Sequence, residues 1–481
     1  MSYQGPSAVV ILAAGAGTRM RSQTPKVLHA ICGRPLVGHV VAAALDAGAQ
    51  HTVVVCGHQR DAVEDYLARD WPAVITTVQE EQNGTGHAVR VTLQQLAGAG
   101  VSLSGGPVVV VSGDSPLLTA ETIQDLARTH AAESAAVTVL TAVLPDATGY
   151  GRVIRDSAGA IVANVEHKDA DAATLDINEV NSGMYAFDPQ FLGSAVTELS
   201  TQNAQGEEYL PDLIAIAREQ GRVVAGLAVD PLEISGVNNR FQLAQCETAM
   251  RARVNQRHME AGVTMVDPAS TYIDVTVDIE ADVTLEPGSI LRGASEISAG
   301  AVVGPDTTLI DTEVGPDATV NRSHAQLAVV GAEVHVGPFS FLRPGAILAQ
   351  GSKVGAYVEV KNSYVGPGSK VPHLSYVGDA TIGAGSNIGA ATIFANYDGV
   401  GKHPTTIGDE VRVGSDTMLV APVEIGDGAY TAAGSVITQD VPPGALGIGR
   451  GRQANIENWV ISNRPDTESA KVAEAALEDD S

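Results

Sequence analysis

Along the first part of the chain, short β-branched runs alternate with segments of helical length; the runs are Val9 to Leu12, Thr52 to Val55, Val74 to Val78, Val108 to Val111 and Val137 to Val143. Such alternation predicts a doubly wound, largely parallel α/β sheet. The pattern changes at Arg240, where an uninterrupted stretch runs to Ala261 behind Asn238-Asn239, residues suited to capping a helix. It predicts one connecting helix. After Gly262 helical patterning stops and aliphatic residues recur at every sixth position. Ile279, Leu285, Leu291, Ile297, Val303 and Leu309 form one column, and Val330, Val336, Leu342, Leu348, Val354 and Val360 a second. Shorter columns follow at Val365, Val371, Val377, at Ile382, Ile388, and at Ile407, Val413, Leu419, Ile425. That period fits neither an amphipathic helix nor an alternating strand. It predicts a solenoid in which each short strand points one aliphatic side chain inward while Gly, Pro, Asp and Asn turn the corners. Residues Ala395 to Thr405 break the period and are expected to protrude as a loop, the kind of insertion that carries function. The expected division is an α/β domain over 1–238, a linker helix over 239–262, a repeat domain over 263–464 and a disordered acidic tail over 465–481.

Composition supports this division. A chain of 481 residues exceeds the roughly 250–300 at which single cores stop growing, and 44% apolar residues suffice for two cores. No apolar run approaches the ~20 residues of a membrane span, and the apolar Ala8 to Ala14 is too short for a signal peptide. Cys32, Cys56 and Cys246 suggest neither a disulfide framework nor a metal site, which points to a reducing, cytoplasmic setting. The formal net charge of −27 argues against nucleic-acid and anionic-membrane partners. Anionic substrates would then need local basic groups. The chain has seven lysines, and Lys26 is the sole one before Lys168.

Lys26 lies in a suggestive place. Leu12-Ala13-Ala14-Gly15-Ala16-Gly17-Thr18-Arg19-Met20 follows the first apolar run, and Pro25-Lys26 comes shortly after. A Gly-rich turn lets backbone N–H groups approach phosphate oxygens, and Arg19 and Lys26 add positive charge. These residues resemble the sugar-nucleotidyltransferase family, whose signature is Leu-x-x-Gly-x-Gly-Thr-Arg-Met followed by Pro-Lys. Gln79 to Ala88, Ser112-Gly113-Asp114 and Gly149-Tyr150-Gly151-Arg152 look like its uridylyl branch. The resemblance implies that UTP and UDP-sugar meet Leu12, Ala13, Ala14, Gly15, Lys26, Ser112 and Gly113. It places Gln79, Gly84 and Thr85 at the uracil and Gly151, Glu166 and Asn181 at the sugar. Lys26 and Arg19 become catalytic charges, and Mg2+ is held by Asp114 and Asn238. One departure is Ser112, where many relatives carry Tyr.

Basic residues also cluster in the repeats. Arg343, Lys361, His373 and Tyr376 could together hold a phosphorylated amino sugar. These segments resemble the bifunctional bacterial N-acetylglucosamine-1-phosphate uridyltransferase/glucosamine-1-phosphate N-acetyltransferase family, over nearly everything before the tail. The resemblance implies a left-handed, homotrimeric β-helix with His373 as general base. Arg343, Lys361, Tyr376 and Asn387 would bind the amino-sugar phosphate, and Ala390, Asn396, Tyr397, Ser415, Ala433 and Arg450 acetyl-CoA. Ala391 stands where relatives often have a second Gly. A general base is needed because an ammonium must lose a proton before its nitrogen attacks a thioester, and an imidazole accepts one near neutral pH. The implied function converts glucosamine 1-phosphate to N-acetylglucosamine 1-phosphate and then, with UTP, to UDP-N-acetylglucosamine for cell-envelope synthesis. Two other readings stay open at this point. In one the repeats only oligomerise a nucleotidyltransferase; in the other His324, His335 and His373 ligate the metal of a hydratase.

Overall fold

The computed structural model describes residues 5–203 and 205–479. The chain divides into two compact units: one runs to Glu280 and includes Leu285–Ser295, while the other takes Ala281–Thr284 and the chain from Glu296 onward.

The first unit is built on β1 (Ala8–Leu12), β2 (Thr52–Cys56), β3 (Ile75–Val78), β4 (Val108–Ser112) and β5 (Val137–Val143), close to the five runs expected. β6 (Arg152–Arg155), β7 (Ile161–Val165), β8 (Glu179–Phe187) and β9 (Val224–Ala228) complete the sheet. The order is β9-β5-β8-β4-β1-β2-β3, with the β6–β7 hairpin attached through β8. β1 pairs in parallel with β2 and β4, whereas β8 is antiparallel to both β4 and β5. Helices cover both faces, so the parallel strands are apolar throughout instead of alternating. Val9 and Ile11 pack under α1 (Leu36–Asp46) and α4 (Ala120–Ala132), against Val40 and Ile123. Ala8 and Val10 face the other way, in the cluster that holds Val89 and Leu96 of α3 (Thr85–Gly98). β1 and β4 end side by side, with Leu12 opposite Ser112 and the Gly113 N–H donating to the Leu12 carbonyl at 2.9 Å. Their following loops therefore meet at the carboxyl edge, where open α/β sheets bind ligands.

The expected connecting helix is α5 (Arg240–Glu260). Its cap is Asn239, whose side chain accepts from the Gln242 N–H at 2.9 Å, so the side chain of Asn238 is released for other work.

The second unit is a parallel β-helix. Each coil contributes one short strand to each of three parallel sheets, and apart from the insertion successive coils stand 16 to 18 residues apart, as between Thr308 and His324, Leu348 and Val365, or Leu342 and Val360. The period-six aliphatics point inward and are buried from Ile297 to Ile425. Small hydroxyls pin the corners: Ser363 donates to the Lys361 carbonyl and Ser375 to the His373 carbonyl, both at 2.8 Å. Between each pair lies a residue with left-handed backbone, Asn362 (φ 44°) and Leu374 (φ 51°). Asn adopts that conformation readily, but for a residue such as Leu it costs roughly 1–2 kcal/mol. The insertion also protrudes as expected. Ala380 pairs with Thr405, 25 residues on, where Tyr364 pairs with Thr381, 17 on.

The acidic tail departs from expectation. Instead of being disordered, Glu468–Asp479 is helical, with Ala470 buried and Lys471 paired with Glu468 at 2.8 Å. Its negative charge and lack of aromatics suggested disorder, but four alanines favour a helix, and the Lys–Glu pair adds support.

Candidate active sites

The Gly-rich loop after β1 lines a cavity of about 290 Å3 in the first unit. Leu12, Ala13, Ala14, Gly15, Lys26, Gln79, Gly84, Thr85, Ser112 and Asp114 all face it, so the sequence motifs converge on one space. Two glycines are sterically required. A Cβ on Gly17 (φ 60°) would lie 2.5 Å from the Cβ of Lys26, and one on Gly84 (φ 103°) 2.4 Å from the Glu208 carbonyl oxygen. Gln79 is buried, and its amide donates to the Gly84 carbonyl at 3.1 Å, fixing the loop that opens α3.

At the edge of this cavity Lys26 forms an ion pair with Asp114. Arg19 and Asn238 do not line the cavity but meet each other, the guanidinium donating to the Asn238 Oδ1 at 2.8 Å. The two expected metal ligands still converge: a Cβ on Gly236 would lie 3.8 Å from Asp114 Oδ1 and 3.9 Å from Asn238 Nδ2. One carboxylate and one amide oxygen suit Mg2+, which takes one or two protein ligands and completes its shell with phosphate and water. Among the described residues no group of three or more His, Cys, Asp or Glu is placed to hold a metal by itself. The residues present therefore fit a metal bound together with substrate.

A second cavity of about 420 Å3 adjoins the first, sharing Thr85 and Glu207 with it, and Gly151, Glu166 and Asn181 line it as expected. A Cβ on Gly151 would lie 2.9 Å from Glu166 Oε1, so the bare backbone lets that carboxylate close in. Asn181 is held from behind: its amide donates to the buried Tyr185 hydroxyl at 2.7 Å, and its Oδ1 accepts from the Gly183 N–H at 3.0 Å. The sequence reading missed Glu207 and Tyr209 here, because they lie in a segment with neither periodicity nor motif.

In the second unit, Asp379 organises the expected phosphate group. Its carboxylate accepts from Asn362 at 2.7 Å and Asn396 at 2.6 Å, and stands 3.5 Å from Lys361 Nζ. Burial alone would raise its pKa, but these hydrogen bonds and the Lys361 charge carry it below the ordinary carboxylate value. Asp379 was not anticipated, since an aspartate at a coil corner reads as a turn former. Lys402, from the protruding loop, was also missed, although lysine scarcity pointed to it. Its amine contacts that of Lys361, raising the pKa of Lys361 and lowering its own. A phosphate dianion between them would offset the like charges of the two amines. Arg343 pairs with Glu359 at 2.7 Å one coil away, and the Tyr376 hydroxyl lies 3.4 Å from the Asn396 amide. Asn387 stands apart, paired with Lys370 and Arg412 in another sheet.

His373 is exposed at a coil corner and heads a line of expected residues. The Ala391 N–H donates to the His373 carbonyl at 3.2 Å, that of Asp416 to Ala390 at 2.7 Å, and that of Gly434 to Ser415 at 2.9 Å. His373, Ala390, Ser415 and Ala433 thus hold equivalent positions on successive coils. Arg450 extends the line, its Cδ 4.0 Å from where a Gly434 Cβ would stand. At ~4.8 Å per coil the line is roughly 19 Å long, suited to an elongated ligand. Tyr397 is exposed in the protruding loop, which Asp398 staples by accepting from the Val400 and Gly401 N–H groups at 2.8 and 2.7 Å.

Fold and sites together define a nucleotidyltransferase joined to a hexapeptide-repeat transferase. The MobA-like NTP transferase domain family matches residues 9–172, and the bacterial transferase hexapeptide (six repeats) family matches residues 404–439, consistent with a left-handed β-helix. The chain is 57% identical to the bifunctional protein GlmU of Streptomyces avermitilis over 478 residues, covering 99% of this chain and 98% of that one. The GlmU proteins of Streptomyces coelicolor and Thermobifida fusca are 56% and 54% identical, each match covering 99% of this chain and 98% of the relative. The chain belongs to the bifunctional GlmU family. It is an enzyme with two activities, uridylyl transfer in the first half and acetyl transfer in the repeat half, and it makes UDP-N-acetylglucosamine. This sets aside both the scaffold and the hydratase readings.

Proposed function

We propose that UTP occupies the cavity of the Gly-rich loop, with uracil against Gln79, Gly84 and Thr85 and phosphates toward Lys26, Ser112 and Gly113. N-acetylglucosamine 1-phosphate occupies the adjoining cavity against Gly151, Glu166 and Asn181. The observation that supports this most is that the two cavities share Thr85 and Glu207, which brings two substrates into contact. A phosphate oxygen of the sugar attacks the α-phosphorus in line, a P–O bond forms and another breaks, and pyrophosphate leaves. No protein nucleophile is needed; alignment and charge neutralisation suffice. Lys26 and Arg19 turn from Asp114 and Asn238 to the phosphates. Asp114 and Asn238 would hold Mg2+, which would supply further charge neutralisation there.

In the repeat half, Arg343, Lys361, Tyr376, Asn387 and Lys402 take the phosphate of glucosamine 1-phosphate. Acetyl-CoA lies along Ala390, Ser415, Ala433 and Arg450, beneath Asn396 and Tyr397. His373 removes a proton from the ammonium; the amine nitrogen bonds the thioester carbon, the C–S bond breaks, and CoA leaves as the thiol. Such a site is shared between subunits of a homotrimer. In support, Phe339, Tyr357 and Leu374 form an exposed apolar line beside His373, and Asn387 stands apart from its partners within one chain. Among the described residues no helix is long and apolar enough to cross a membrane, and the charge of −27 disfavours nucleic acid, which agrees with cytoplasmic action on small phosphorylated substrates. The test is coupled turnover of glucosamine 1-phosphate with acetyl-CoA, UTP and Mg2+. It should release equal amounts of CoA and pyrophosphate, and failure to form UDP-N-acetylglucosamine would overturn the reading.

A further inference from the structure

Within the first unit, α1, the start of α4 and α5 surround a cavity of about 620 Å3, larger than either substrate cavity and sharing no residue with them. Its walls are apolar where Trp71, Leu118 and Met250 face it, and three guanidiniums, Arg34, Arg253 and Arg257, stand around it. Asp46 and Glu121 also line it. Arg253 is committed, donating to the Leu117 carbonyl at 3.0 Å with Glu233 3.8 Å away. Arg34 and Arg257 are not: among the described residues neither has a carboxylate within 4.0 Å. Arg34 lies 5.5 Å from the Trp71 ring centre, and Arg257 meets His258 at 3.5 Å.

Burial lowers the pKa of Arg34, Tyr66 and Asp46 oppose that effect, and the charge of Arg257 adds a smaller lowering effect. Helix-dipole stabilisation accounts for Arg257 in the last turn of α5 but not for Arg34. A doubly charged anion in the cavity would give both guanidiniums a partner, and guanidiniums match phosphate oxygens with paired N–H groups. The indole and the apolar walls would take a flat body. The volume is in the range of small-molecule sites.

We propose that this cavity binds a phosphate monoester of a flat, apolar or aromatic body, at a site separate from the two transferase sites. Only Trp71 and Trp459 are tryptophans, so full-length Trp459→Phe protein reports on the cavity through the fluorescence of Trp71. Phenyl phosphate is the probe, with inorganic phosphate and phenol as partial ligands, and saturating UTP with Mg2+ present throughout. Phenyl phosphate should shift the emission saturably, more tightly than either fragment, and Arg257→Gln should weaken it about tenfold, the effect of losing one charge-assisted contact. Arg34→Gln should do the same; Arg257 is exposed, so its variant tests the idea even if Arg34→Gln misfolds. Absence of a saturable shift, equal binding of phenol, or unchanged affinity in Arg257→Gln would each sink the proposal. Because UTP is already bound, none of these outcomes depends on the assignment of the nucleotide cavity.

Discussion

A lysine held against an aspartate beside a phosphate loop presents little net charge until a ligand separates them. Lys26 and Asp114 are in that state, whereas Arg19, hydrogen-bonded to the neutral Asn238, keeps its full charge. Lys26→Ala should lower UTP-dependent pyrophosphate release by about 10²–10³, the effect of removing one preorganised charge, and leave CoA release unchanged. His373→Ala should do the reverse, lowering CoA release by roughly 10²–10⁴. Parallel assays of both products on each variant check the pair. Lys26 was legible because lysines are scarce and the motif around it is specific. Asn238 was ambiguous, since either of two adjacent asparagines can cap a helix and only backbone geometry selects Asn239. Asp379 was invisible because its partners come from the coils on either side of it, Lys361 and Asn362 from one and Asn396 from the other.

The helices over the sheet carry two buried histidines, His39 in α1 and His130 in α4, and burial pushes the pKa of each down to about 4. Folded protein keeps both neutral, while the unfolded chain takes up protons below about pH 6.5. Their contribution to stability is therefore full above about pH 6.5 and is lost as pH falls toward 4, on the order of 3 kcal/mol per histidine. His130→Gln keeps a polar group near Thr138 but cannot titrate. Denaturant unfolding at several pH values should show a shallower loss of stability for this variant by up to one proton. In the β-helix, Leu342 is fully buried, and Leu342→Ala should destabilise the repeat unit by about 2–5 kcal/mol, read as a shift in its unfolding transition. These elements were legible because inward aliphatics repeat without error. The antiparallel β8 was less so, since Asn181 and Ser182 interrupt its apolar pattern for the sake of the site. The tail helix was missed because composition was weighed above local propensity.

For the whole molecule, the two halves should respond independently to conditions. A chelator should stop pyrophosphate release and spare CoA release, because the proposed Mg2+ ligands, Asp114 and Asn238, belong to the first half. Sedimentation should give three times the 49.5 kDa chain mass, and dilution below the assembly constant should abolish CoA release first.

The pairing ladder passes the insertion without losing register: Ala380 joins Thr405, and Thr405 joins Val423 as any other coil would. The loop's ends also meet, the His403 N–H donating to the Asn396 carbonyl at 2.8 Å. In an array whose stability is a sum over neighbouring coils, such a side branch is nearly neutral. Removing Tyr397 to His403 would restore the ordinary spacing, so unfolding of the repeat unit should shift by less than about 1 kcal/mol while CoA release is lost. The scaffold thus behaves like a rack with an interchangeable tool. Selection can rewrite the loop without renegotiating the architecture that holds it.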